Sequence, residues 1–277
     1  MTDWNRRDML RLGSVAAAGA LCPRLEAAPT SRSGSRKKGL CITTKSKHWA
    51  QRLEAVKAHW FYSWGSNIPQ GIPKGVDFIP MIWGYWGNDE SIAKAGAAAK
   101  AAGIDTLLGF NEPDQKSQAN MKLEKALKAW PLLMKTGLRL GSPGCVHPDN
   151  DWMKGFMAAA KQRKLRVDFV CVHSYGGANP DALIKRLHNI HKMYGKPIWI
   201  TEFAVGDWDA KSPEQNRHRP GAVLKFMEKV LPRLEQLDFI ERYAWFPAGQ
   251  NNNALGTSAL FDPSGKLTRL GEFYRDF

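Results

Sequence analysis

With 277 residues, 43% of them hydrophobic, the chain can bury the core of one large domain, and its formal charge of +14 makes it strongly basic. Four cysteines are too few and too scattered for a disulfide framework. The 40 Lys and Arg residues are spread over helix-patterned segments instead of being gathered with stacking aromatics, which speaks for a solvated surface and against a nucleic-acid partner.

Arg6-Arg7-Asp8-Met9-Leu10-Arg11, an Ala-rich apolar run from Leu12 to Leu21 and the small pair Ala27-Ala28 follow one another in the order of an export signal, and the paired arginines resemble the twin-arginine type. Residues 1–28 are therefore expected to be a leader, 29–38 a basic flexible linker and 39–277 one catalytic domain. No later run approaches the ~20 apolar residues of a membrane span, so the mature protein is expected to be exported, periplasmic or extracellular, without stable membrane insertion. Its oligomeric state is left open.

Along the domain, candidate strands are Gly39 to Thr44, Trp60 to Ser66, Asp77 to Gly84, Thr106 to Glu112, Arg139 to Cys145, Asp168 to Tyr175, Pro197 to Val205 and Ile240 to Pro247. Helical periodicity covers Ser91 to Ala102, Gln118 to Lys135, Asp151 to Arg163, Pro180 to Tyr194 and Pro213 to Leu234. Asn67 to Val76 is short and rich in Gly and Pro, which makes it a degenerate crossover. Strand alternating with helix eight times is the pattern of a single-domain α/β protein, a (β/α)8 TIM barrel. Cys41, Cys145 and Cys171 fall in or at the end of strands and read as buried thiols.

Two apolar runs end abruptly on a glutamate: Leu107-Leu108-Gly109-Phe110-Asn111-Glu112 and Ile198-Trp199-Ile200-Thr201-Glu202. The glutamates stand 90 residues apart, about three strand-helix units of roughly 30 residues, which puts them at the ends of the fourth and seventh strands. Carboxylates at strand C-termini sit at the mouth of a parallel barrel, and two facing each other there can cleave a glycosidic bond. Across such a mouth their carboxyl groups should lie about 5 to 5.5 Å apart, the spacing of a retaining enzyme. Asn111 is suited to hold a sugar hydroxyl. His173 and Tyr175, ending a neighbouring strand, either bond Glu202 or form a satisfied polar cluster at the rim. His147 follows the fifth strand and is a candidate for the mouth; Asp114 and Gln115 read as the start of the next helix. Of the eleven Trp residues, Trp64, Trp83, Trp86, Trp208 and Trp245 fall at or just past strand ends, where flat rings can bind the C–H faces of sugars. Trp245 is the candidate for the reacting subsite.

Further strings carry a resemblance: Lys38-Gly39-Leu40, Pro80-Met81-Ile82-Trp83-Gly84, Asn111-Glu112-Pro113-Asp114, Arg166-Val167-Asp168-Phe169, Val172-His173, Lys196-Pro197-Ile198-Trp199-Ile200-Thr201-Glu202-Phe203, Arg242-Tyr243-Ala244-Trp245-Phe246 and Leu267-Thr268-Arg269-Leu270-Gly271. In this order they resemble glycoside hydrolase family 128, the β-1,3-glucanases of the glycosyl hydrolase catalytic core. The resemblance implies a (β/α)8 fold, a β-glucan polysaccharide or oligosaccharide as partner, hydrolysis with retention, Glu112 as acid/base and Glu202 as nucleophile, and no cofactor or metal. It implies endo in preference to exo action. One departure, Ser174 where many members carry an aromatic residue, leaves that choice open. Two rivals stand beside it: a non-catalytic β-glucan-binding barrel, and a metal-dependent sugar-processing barrel using Glu112, His173 and Glu202 as ligands.

Overall fold

The computed structural model describes residues 34–277; the expected leader, and the linker as far as residue 33, lie outside them. Eight strands follow in chain order: β1 (Lys38–Cys41), β2 (Trp60–Tyr62), β3 (Asp77–Phe78), β4 (Thr106–Leu107), β5 (Arg139–Leu140), β6 (Val170–Ser174), β7 (Ile198–Phe203) and β8 (Ile240–Trp245). Parallel ladders join β3-β2-β1-β8-β7-β6 and β4-β5. Single parallel bridges, Met81 to Leu108 between β3 and β4, and Gly141 to Phe169 and Cys145 to Val172 between β5 and β6, complete the ring. This is the barrel that the strand-helix alternation predicts.

The ladders of β3, β4 and β5 are two residues long, shorter than their apolar runs. Pro80 and Pro143 stand in those runs and bring no N–H to a ladder, so pairing survives only as isolated bridges beyond them. The helices are α1 (Trp49–Ala55), α2 (Asp89–Ala101), α3 (Leu123–Lys135), α4 (Asp151–Gln162), α5 (Pro180–Tyr194), α6 (Pro220–Gln236) and α7 (Arg269–Asp276). No helix lies between β2 and β3, as the short crossover implied. Asn150, Asn179 and Thr268 cap α4, α5 and α7 by accepting from backbone N–H groups in the first turn.

Two helices begin later than their periodicity suggests. The stretch before α3 folds back on the strand end, with Ala119 N–H donating to the Asn111 carbonyl and Met121 N–H to that of Pro113. Before α6, only a 3-10 turn (Pro213–Gln215) forms; Asn216 then donates to the carbonyls of Asn253 and Ala254, holding the chain as loop until Pro220.

Alternation along the strands divides the core. Leu40, Phe61, Val170, Ile200 and Trp245 face the helices, whereas Cys41, Trp60, Tyr62, Cys171, Trp199 and Ala244 fill the barrel. At the strand N-termini, Arg139 and Arg242 lie over the faces of Trp199, Phe169 and Trp60, and Glu241 ties Arg139 to the Trp199 indole N–H. That end is plugged, and the chemistry is left to the other. Gly39 makes room for the plug: a Cβ there would lie 2.3 Å from Trp60 Nε1. Gly39→Ala should therefore lower stability by roughly 3 kcal/mol in chemical denaturation, because neither the fully buried indole nor β1 has space to yield.

Two adjacent lysines fasten β1 to the last two helices. Lys37 Nζ donates to the carbonyls of Leu234, Glu235 and Leu237 at the end of α6, and Lys38 Nζ to those of Tyr274 and Arg275 in α7. Cations at helix C-termini satisfy orphan carbonyls and oppose the negative end of the dipole. Burial, with Lys57 nearby, pulls the Lys38 ammonium down to about 8. Lys37 and Lys38, which the sequence places in a flexible linker, are thus anchored: Lys37 N–H bonds Ser35 Oγ, and Lys38 belongs to β1. Cys41, Cys145 and Cys171 are buried free thiols, and burial raises the pKa of each. Among the described residues no helix is long and apolar enough to cross a membrane.

Candidate active site

At the C-terminal mouth, β4 and β7 deliver the two glutamates to one place. One oxygen of Glu112, one oxygen of Glu202 and one ring nitrogen of His173 all lie within 4.8 Å of one another. Register shifts between Val172 and His173 and between Ile200 and Phe203 break the strict alternation of β6 and β7 and turn His173 and Glu202 into register with each other. Glu112 sits just beyond β4 with φ 41°, a left-handed conformation, and its N–H donates to the Gly144 carbonyl at 2.7 Å. Trp64 also has a positive φ, 56°. Such conformations cost a non-glycine residue roughly 1–3 kcal/mol, so surrounding contacts must hold both side chains where they are.

The two carboxylates have different surroundings. Glu202 Oε1 accepts from Tyr62 Oη (2.6 Å) and Trp64 Nε1 (2.8 Å), and Oε2 accepts from Tyr175 Oη. Burial first, and then the charge of Glu202, raise both tyrosine pKa values, so they remain O–H donors. Three donors converging on a side chain that is 6% exposed suit a negative charge. Glu112, 12% exposed, meets His173 Nδ1 at 2.9 Å through Oε1. His173 Nε2 points toward Glu202 Oε1 at 3.5 Å without making a hydrogen bond. Burial lowers the imidazole pKa, but the adjacent Glu202 and the bond to Glu112 outweigh it, and the net shift is upward.

Asn111 is buried; its Nδ2 donates to Gln118 Oε1, and its Oδ1 has no protein partner. Tyr175 packs edge-on against Trp208 and Phe246, and Phe246 against Trp64. Trp83 and Trp86 stack with centroids 5.7 Å apart, Trp86 lying over Gly84, where a Cβ would meet its ring at 2.3 Å. Trp86 and Trp208 are 60% and 64% exposed. A cleft of about 510 Å³ opens beside Glu112, with Gln115, Gln118, His147, Tyr175 and Trp208 in its walls.

Trp245 is not at the mouth. Its indole is fully buried on the outer face of β8, packed on Phe203 and Tyr274 and donating to the Ser258 carbonyl, so it cannot serve as a sugar platform. The next residue, Phe246, turns toward the site in its stead. Asp114 is also no helix start: it receives Val146 N–H and Asn150 Nδ2, clamping the loop after β5 to the end of β4. Tyr62, absent from the sequence-based candidates, was foreseeable from parity, since it precedes the strand-end Trp64 by two residues on the inward face of β2.

Comparison with known proteins agrees with this geometry. The family model described as glycosyl hydrolase catalytic core matches residues 39–274. Alkali-sensitive linkage protein 1 of Schizosaccharomyces pombe is 31% identical in an alignment of 227 residues that covers 78% of this chain; the chain spans only 40% of that relative's length. An endo-β-1,3-glucanase of glycoside hydrolase family 128, subgroup I, from Amycolatopsis mediterranei, solved with laminaritriose, is 36% identical with a TM-score of 0.74, over 87% of this chain and 99% of that one. A curdlan-specific exo-β-1,3-glucanase of subgroup III from Blastomyces gilchristii, solved with glucose, is 30% identical with a TM-score of 0.69, over 87% and 98% of the two chains. The barrel, the paired glutamates and these matches together place the chain in the glycosyl hydrolase catalytic core family, among the members of glycoside hydrolase family 128.

Proposed function

We propose that the protein is a retaining endo-β-1,3-glucanase acting on laminarin-like glucans, with Glu112 as acid/base and Glu202 as nucleophile. The observation that carries this reading is the close, unequal pair of carboxylates: oxygens within 4.8 Å, one acid ringed by three donors and the other held by a single imidazole contact. Glu112 gives its proton to the departing glycosidic oxygen while a Glu202 oxygen bonds to the anomeric carbon and the C–O bond breaks. Water then attacks that carbon, Glu112 takes its proton, and the ester to Glu202 is released. The free Oδ1 of Asn111 is available to accept from a sugar hydroxyl, a contact of most value where it tightens in the transition state. Sugar faces would rest on Trp64, Trp83, Trp86 and Trp208.

The metal-dependent rival fits the site less well. His173 directs different nitrogens at the two carboxylates, and both Glu202 oxygens already accept from phenol or indole donors. Proton NMR during the first minutes of laminarin hydrolysis tests the proposal. The β anomer should form first and mutarotate later; initial α anomer would remove Glu202 as nucleophile.

We infer further that residues 1–28 direct export and are removed. The order of charged, apolar and small residues supports this, as does the position of the first barrel strand, which opens only ten residues later at Lys38. N-terminal sequencing of protein recovered from the periplasm or medium of an expressing bacterium should find a start near residue 29. An intact Met1 on protein confined to the cytosol would overturn the inference.

A further inference from the structure

We propose that the cleft beside Glu112 is the site of the departing sugar chain, that Trp208 is its platform, and that Arg217 is the positioning residue that fixes this platform. The inference rests on the assignment of Glu112 as acid/base. The acid stands at the bond that breaks, between the retained and the departing sugar, and this cleft is lined by Glu112 and not by the nucleophile Glu202. The cleft runs from Glu112 over the loops that follow β4, β5 and β6, with Gln118, His147 and Arg186 supplying polar groups and Trp208 an apolar face. That composition, one ring and several hydrogen-bonding side chains, suits a neutral glucosyl residue.

Trp208 is the largely exposed wall of this cleft, yet Tyr175 holds its side chain and Arg217 its neighbours in sequence. Its Nε1 donates to the Tyr175 carbonyl at 3.1 Å and its ring meets Tyr175 edge-on at 5.9 Å. One nitrogen of Arg217, Nη2, bonds both of Trp208's neighbours in sequence, Asp207 Oδ1 and Asp209 Oδ2, each at 2.6 Å. Asp207 is buried and takes the Arg217 backbone N–H as well. The exposed contact to Asp209 adds little stability by itself, but a single guanidinium gripping residues on both sides of an exposed indole restricts where that indole can go. Pre-set platforms bind without losing the freedom a loose one would lose.

The test compares two substrates in the full-length enzyme. Laminarihexaose has a sugar leaving group, and an aryl β-laminaribioside leaves the proposed site without a sugar. Trp208→Ala should raise KM for laminarihexaose about tenfold and alter its cleavage pattern, with far less change for the aryl substrate. Trp208→Phe, which keeps a flat ring, should recover most of the loss. Arg217→Met should raise KM for laminarihexaose in the same selective way but by less, and Arg217→Lys should restore part of it. Equal losses on both substrates, or none on either, would overturn the assignment of the cleft. A selective effect of Trp208→Ala with none from Arg217→Met would overturn the positioning role alone. Wild-type inactivity on both substrates would instead overturn the proposed hydrolase function.

Discussion

Glu202→Gln is expected to abolish laminarin turnover, by a factor on the order of 10⁴ to 10⁶, while leaving oligosaccharide affinity within a few fold. The amide fills the same space but cannot form the ester. Its surroundings tolerate the exchange: the carboxamide oxygen can take the place of Oε1 between Tyr62 and Trp64, and the NH₂ group then faces Tyr175, whose hydroxyl can turn to accept. Loss of activity should therefore come with a folded, binding-competent protein, which calorimetric titration with a laminari-oligosaccharide can establish. Turnover within tenfold of wild type would exclude Glu202 from covalent catalysis.

Glu112→Ala should behave differently on different leaving groups. On laminarin the loss should be about 10² to 10⁴-fold, because nothing protonates the departing alkoxide. An aryl leaving group needs no proton, so formation of the glycosyl-enzyme should survive and its breakdown, deprived of a base, should become the slow step. Azide needs no base and should accelerate that step, giving a β-glycosyl azide detectable by mass spectrometry and NMR. Equal losses on both substrates without azide rescue would assign Glu112 a structural role, such as partnering the buried His173.

Much of this site could be read in the chain because the relevant information is local. An apolar run followed at once by a glutamate says both that a strand is buried and where it opens, and Glu112 and Glu202 meet as that pattern implies. The failures occur where long-range partners decide. Trp245 lies one residue from the inward-facing Ala244, and only the parity of β8, set by pairing with β1, says that its indole faces the helices. Gln118 has helical neighbours, but the loop around it is held on the strand end by contacts to Asn111 and Pro113. The grip of Arg217 on the Trp208 loop was likewise invisible, since an arginine eight residues beyond an aspartate reads as ordinary surface charge.

The lysine pair at 37 and 38 bears on the order in which the fold can be assembled. Lys38 pairs with Tyr243 through the backbone and reaches Tyr274 and Arg275 through its ammonium, so the first strand is completed only by residues more than 200 positions later. Contacts this distant form late and slowly, because the intervening chain must first lose its freedom. During synthesis β1 therefore waits with one edge unpaired until β8 and α7 have been made. An unpaired edge can add strands from other chains, which makes nascent or truncated forms lacking the last two elements prone to aggregation.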